Sequence, residues 1–130
     1  MSPQPARPPQ VDRHTLALDE LMERCLGNLN FAQRVVSVFE EHFGRDLAAL
    51  EAGLASDDMD EVARIAHRMK GSSANAAAPQ LCRDMASIEE LAQHHRSAEM
   101  ARCIMKLRED WSQFRETAQH IRPTGATSGN

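Results

Sequence analysis

From about residue 19 to residue 121, apolar side chains recur every three or four positions, the spacing of one buried face on an α-helix. No stretch alternates apolar and polar as a strand does. A short helix is predicted over about residues 19–26, with Asp19 as its N-cap and Gly27-Asn28 as its stop. A long one follows from about 30 to 54 on a stripe of Phe31, Val35, Val38, Phe39, Phe43, Leu47, Leu50 and Leu54. Ser56-Asp57-Asp58 breaks it and caps the next, about 59–77, whose seam is Met59, Val62, Ala66, Met69, Ser73 and Ala76. Pro79 cannot continue that ladder but fits the first turn of a new helix. That helix runs to about Gln93 and buries Leu81, Met85, Ile88 and Ala92. After His94-His95-Arg96-Ser97 the last helix spans about 98–121 on Met100, Ile104, Leu107, Trp111, Phe114, Ala118 and Ile121.

Four long helices on short connections predict an all-α fold, an antiparallel up-down-up-down four-helix bundle with a short additional N-terminal helix, over residues 13–122. The proline-rich residues 1–12 read as a disordered leader and 123–130 as a disordered tail. The initial Met and polar ends lean toward a free-standing protein. A net charge of −4, four Phe, one Trp and no Tyr exclude a nucleic-acid surface, which needs a basic stripe and stacking rings. No apolar run is long enough to cross a membrane. Cys25, Cys82 and Cys103 show no Cys-x-x-Cys spacing and read as reduced thiols of a cytoplasmic protein, Cys25 the most exposed of them.

The chemistry concentrates on the third helix. His67 falls roughly 130° from the middle of the buried seam and points outward. Around it lie Asp60, Ala63, Arg64, Lys70, Gly71, Ala74 and Ala78. A solvated helix face normally carries Glu, Lys and Gln; here the positions four before, four after and seven after the histidine are Ala, Gly and Ala. Gly71 costs about 1 kcal/mol against alanine in a helix interior. What it provides is clearance for another protein. A neutral imidazole is a competent nucleophile near neutral pH, and a phosphoryl group on it would meet the ammonium of Lys70 one turn away. Arg64 is a second candidate cation and Arg68 a weaker one. An exposed pair of this kind holds by about 0.2–1 kcal/mol, weak enough for reversible transfer. No metal cluster or phosphate-binding glycine loop accompanies the histidine, so the partner must bring the metal and the electrophile.

Plainer readings stand beside these. Taken alone, His67 is a solvated surface histidine. His94 and His95 are adjacent, about 100° apart on a helix, and cannot chelate as an i, i+4 pair does; a connection explains them. His42 and His120 are polar-face residues and His14 belongs to the leader. Gln80 and Arg83 could line the neighbouring surface, but suit an ordinary exposed face. Met59, Met69, Met85, Met100 and Met105 are core filler. Asp57, Asp58, Asp60 and Glu61 answer a helix dipole. A metal-carrying bundle would need Glu-x-x-His pairs on facing seams, and none is found.

The run His67-Arg-Met-Lys70-Gly71-Ser72-Ser73-Ala-Asn75 resembles the signature of histidine-containing phosphotransfer (HPt) domains: a histidine, two residues, then Lys-Gly-Ser-Ser. The resemblance covers about residues 15–121. It implies a monomeric bundle that relays phosphoryl groups between aspartates of receiver domains, in response regulators and hybrid histidine kinases of a two-component phosphorelay. It implies His67 as phosphoacceptor and donor, Lys70 as its charge support, and Ala63, Arg64, Arg68, Gly71 and Ala74 as the docking face. Ser72 and Ser73 would bond within the helix, Ser73 back to the Met69 carbonyl. No cofactor is implied, with Mg²⁺ only in the receiver. Nor is catalysis in its own right: the protein is a stoichiometric carrier. The family often has a second glycine where this chain has Ala77, which suggests a tighter helix end. The alternative is a helical interaction module that binds receivers or kinases without taking phosphate.

Overall fold

A computed structural model of the chain describes residues 17–121. The leader at 1–12, His14 and the tail at 123–130 lie outside the described residues. The described part is all-helical: α1 (Leu18–Arg24), α2 (Leu29–Ala55), α3 (Met59–Asn75), α4 (Pro79–Gln93) and α5 (Ser97–Gln119), with no strand among the described residues.

Helix starts follow from side chains that satisfy otherwise orphaned backbone donors. The Asn28 side chain accepts the Phe31 N–H at 3.0 Å and opens α2. Asp58 accepts the Glu61 N–H at 3.2 Å and opens α3, and Pro79 stands in the first turn of α4. Asp19 is not the cap of α1: that position is Ala17, whose own N–H donates to the Ala77 carbonyl at 2.7 Å, while Asp19 lies in the first turn.

The ends of α1 to α4 share one device. Leu26, Asp57, Ala77 and His95 have φ of 56°, 57°, 58° and 54°. After each, the next N–H returns to a carbonyl five residues back, as Ala78 does to Ser73 at 2.9 Å and Arg96 to Leu91 at 2.9 Å. This is the Schellman stop, which places a left-handed residue just outside the helix. Ala77 therefore lies beyond α3, which ends two residues earlier than the periodicity predicts. A glycine would adopt this conformation at lower cost, but Ala77 is buried and its methyl joins the core.

Consecutive helices pack on one another, most extensively α3 on α4. Rings close the circuit between α2 and α5: Trp111 stacks on Phe43 at 4.3 Å, and Phe39 meets the Phe114 ring edge-on at 5.1 Å. Phe43, Leu50, Ile65, Met69, Met85, Leu107 and Phe114 are fully buried between them. The seams read for α3, α4 and α5 are the buried ones, with Trp111 only half-buried. On α2 the buried line runs instead through Ala32, Val36, Phe39 and Phe43. Phe31 and Val38, placed in the core by size, are 52 % and 51 % exposed. Small Ala32 and Val36 let neighbouring elements close in, and the larger side chains stand to one side. Two further expectations reverse. Cys25 is buried, because it repeats Leu21 one turn on along α1, while Cys82 and Cys103 are half-buried. Met105 is exposed, about 100° around α5 from Ile104.

Two acids lie inside the α4–α5 contact, Asp84 and Asp110, both buried. Lys106 reaches Asp110 Oδ2 at 2.8 Å and Asp84 Oδ1 at 3.5 Å, and Gln80 donates to Asp84 Oδ1 at 3.4 Å. One ammonium serves two carboxyls. Burial first, then the neighbouring Asp110 carboxylate, push the Asp84 carboxyl up to about 7 from an ordinary 3.8. Between those values the folded chain holds a proton that the unfolded chain releases. The stability this proton contributes is thus complete below about pH 4 and lost as pH rises through about 7. A shift of about three units sets a ceiling of roughly 4 kcal/mol. Asp84→Asn keeps the shape without the charge. It should match the parent in urea melts at about pH 4 and exceed it by roughly 2–4 kcal/mol at about pH 8; a constant difference across that range would refute the assignment.

Candidate functional site

His67 stands midway along α3 on the side away from the core, its side chain 69 % exposed. The neighbouring seam residues Ala66 and Met69 are buried, so the register that sinks them lifts the imidazole into solvent. Its Nδ1 lies 3.0 Å from Oε2 of Glu89 on α4. The other oxygen of that carboxylate, Oε1, is 3.0 Å from Lys70 Nζ. Glu89 therefore bridges the two residues that the sequence singled out. Its side chain is only 14 % exposed, in the crease between α3 and α4 beside buried Ile88. Gln93 Nε2 approaches the same Oε2 at 3.5 Å. Burial acts to raise the Glu89 pKa, but the Lys70 ammonium and His67 outweigh it and hold the carboxyl below the ordinary range.

An ionised carboxylate can only accept a hydrogen bond. Nδ1 must then carry the proton in the neutral ring, which leaves the lone pair on Nε2. That is the tautomer a nucleophilic imidazole needs, with ring orientation fixed by a neighbour instead of by burial.

The other cations of this face are also engaged. Arg64 donates from Nε to Glu61 Oε1 at 3.0 Å within its own turn. Arg68 turns away to Asp46 on α2, also 3.0 Å. The residues expected on the docking face divide by depth: Gly71 and Ala74 are exposed, whereas Ala63 is half-buried against the core. A Cβ added at Gly71 would meet nothing within 4 Å, so the glycine is not demanded by packing inside the protein. Ser72 bonds within the helix as expected, but to the carbonyl expected of Ser73, which departs from its role. Ser72 Oγ donates to the Met69 carbonyl at 3.1 Å, while Ser73 Oγ is buried in the α3–α4 seam and makes no hydrogen bond. Ser72 sits on the flank, with room to fold back on its own helix.

Elements outside α3 complete the surroundings. Arg24 of α1, paired with Glu20, donates to the carbonyls of Ala74 at 2.7 Å and Asn75 at 3.0 Å, closing the last turn of α3. Beside that turn, Phe31, Val35, Val38 and His42 of α2 face Ser72 and Asn75 across a shallow groove of about 350 Å³. Gln80 and Arg83 bond to each other at 3.0 Å on α4. His94 and His95 fall in the α4–α5 connection, His94 as the cap of α4. Among the described residues no three His, Cys, Asp or Glu side chains converge as metal ligands, and no helix is long and apolar enough to cross a membrane.

Sequence reasoning missed Glu89 and Arg24. Glu89 is one acid among the polar positions of α4, and only the α3–α4 register brings it to His67. Comparison with known proteins returns no matching curated protein and no matching solved structure. The family model for the Hpt domain matches residues 34–119, which takes in all of α3, α4 and α5, most of α2, and the whole His67 face. A match over well more than half of the chain places it: the protein belongs to the Hpt domain family.

Proposed function

We propose that this protein relays a phosphoryl group between receiver-domain aspartates through Nε2 of His67. Hpt domains are phosphotransfer modules of two-component systems, carriers and not enzymes. The single observation that carries the reading is the exposed imidazole with Nδ1 tied to Glu89, which leaves Nε2 as the nucleophile. Nε2 attacks the phosphorus of a receiver's aspartyl phosphate; the N–P bond forms as the acyl O–P bond breaks, and the receiver recovers its carboxylate. Discharge onto a second receiver runs the same exchange in reverse. The receiver supplies Mg²⁺ and the in-line geometry, so this chain needs no cofactor.

Gly71 and Ala74 give the receiver its close approach, and the Phe31–Val38 groove extends the contact onto α2. Arg64 and Arg68 border it. Lys70 supplies positive charge to the phosphoryl oxygens. The antiparallel up-down-up-down order is part of the same reading, as are a monomeric state and a cytoplasmic location.

Incubation with a phosphorylated receiver domain and Mg²⁺ should label the protein with phosphate that is acid-labile and base-stable, as phosphohistidine is. A receiver that binds without transferring label would favour a plain interaction module instead.

A further inference from the structure

We propose that Glu89 sets the transfer potential of this site: by occupying Lys70 and standing beside the phosphoryl group, its carboxylate keeps phosphorylated His67 energetic and short-lived. The inference rests on the relay reading and adds to it what controls the lifetime of the charged state. Its basis is the bidentate bridge. One oxygen of Glu89 is 3.0 Å from Lys70 Nζ and the other 3.0 Å from His67 Nδ1. The carboxylate is largely enclosed and cannot withdraw into bulk solvent as a surface glutamate does. Nor is another cation of this face unpaired, since Arg64 is held by Glu61 and Arg68 by Asp46. The unphosphorylated face is thus charge-balanced pair by pair.

Phosphorylation places a near-dianionic group on Nε2 across the ring from Glu89. N–P bond formation makes the ring a cation, and its Nδ1 proton passes to water. The Nδ1 lone pair is left facing the Glu89 carboxylate with their hydrogen bond lost. The phosphoryl group must then share Lys70 with a carboxylate that already holds it. It also feels the repulsion of a fixed charge a few ångströms away. Both effects raise the energy of the phosphorylated state relative to the free one. Discharge relieves them: the N–P bond breaks, an O–P bond forms on the acceptor aspartate or on water, Nδ1 regains its proton from water, and the bridge closes again. A neutral acceptor at position 89 would still take the Nδ1 hydrogen bond and preserve the tautomer, but without the charge.

The test charges the wild type, Glu89→Gln and Glu89→Ala with phosphoramidate, a small donor whose P–N bond breaks with loss of ammonia as Nε2–P forms. Two quantities are read: the equilibrium division of phosphate between this protein and a receiver domain with Mg²⁺, and the hydrolysis rate of the isolated phosphoprotein. Glu89→Gln should shift the equilibrium about tenfold toward phosphohistidine, the scale for a unit charge facing a near-dianion in a water-like medium. It should also lengthen the lifetime severalfold. Raising ionic strength should narrow the gap between the two proteins by screening the repulsion. Lys70→Gln placed in the Glu89→Gln background should undo most of the shift, because the released ammonium is what stabilises the phosphoryl group. Glu89→Ala should accept phosphate more slowly than Glu89→Gln, since it loses the tautomer as well as the charge. An equilibrium within twofold of wild type in Glu89→Gln, or a shift toward the receiver, would overturn the proposal while leaving the relay intact. A wild type that takes phosphate from neither phosphoramidate nor receiver would remove the relay itself.

Discussion

His67→Gln is expected to take up no detectable phosphate from a phosphorylated receiver, while folding and binding that receiver as the wild type does. The ring is exposed and makes one hydrogen bond, to Glu89. Substitution at such a position changes stability by no more than about 0.5 kcal/mol. A glutamine amide occupies similar space and can still donate to the carboxylate, but its nitrogen has no available lone pair and does not attack phosphorus. Loss of label therefore reports chemistry and not unfolding. The measurement is phosphate incorporation beside a thermal melt and a receiver titration of the same samples. Undiminished label in His67→Gln would place the acceptor elsewhere; among the six histidines of the chain, His42 of α2 lines the nearby groove and would be the next to substitute.

The site was legible in the sequence as far as one helix could carry it. Spacing alone separates His67 from the seam of Ala66, Met69 and Ser73, because residues on one rigid helix have fixed relative directions. That relation needs no tertiary information. Glu89 needs it: the distance from His67 depends on how far α3 slides along α4, and no local pattern encodes that offset. Asp84 and Asp110 illustrate the same limit from the other side. Both break the rule that acids face water, and the Lys106 that reaches over them does so only in the assembled α4–α5 contact. The misplacement of Phe31 and Val38 has a different origin. On α2 apolar side chains cover more than one face, so periodicity leaves the buried direction open by tens of degrees. Size then favours the wrong side, since the tight contact is made by Ala32 and Val36. The surplus apolar side chains are left around a groove beside the last turns of α3, where a docking partner can cover them.

Gly71→Gln should separate docking from chemistry. An added Cβ meets no atom within 4 Å and the backbone is helical there, so the substitution removes a glycine from a helix interior without strain. It should raise stability by about 0.5–1 kcal/mol. Transfer from a receiver should nonetheless slow about a hundredfold, the scale of loss when reacting groups are held an ångström or so too far apart. The side chain would project from the same face as His67, one turn on, where the receiver's backbone must come close for in-line attack. Gly71→Ala, which adds one methyl, should fall between. Phosphoramidate provides the internal control: a donor of a few atoms needs no such clearance and should charge all three proteins at similar rates. If Gly71→Gln accepts phosphate from the receiver at the wild-type rate, the small residues around His67 do not serve docking. If it slows equally with phosphoramidate, the added side chain has disturbed the Glu89–His67–Lys70 bridge itself, and the clearance explanation gives way to one in which position 71 protects the geometry of the nucleophile.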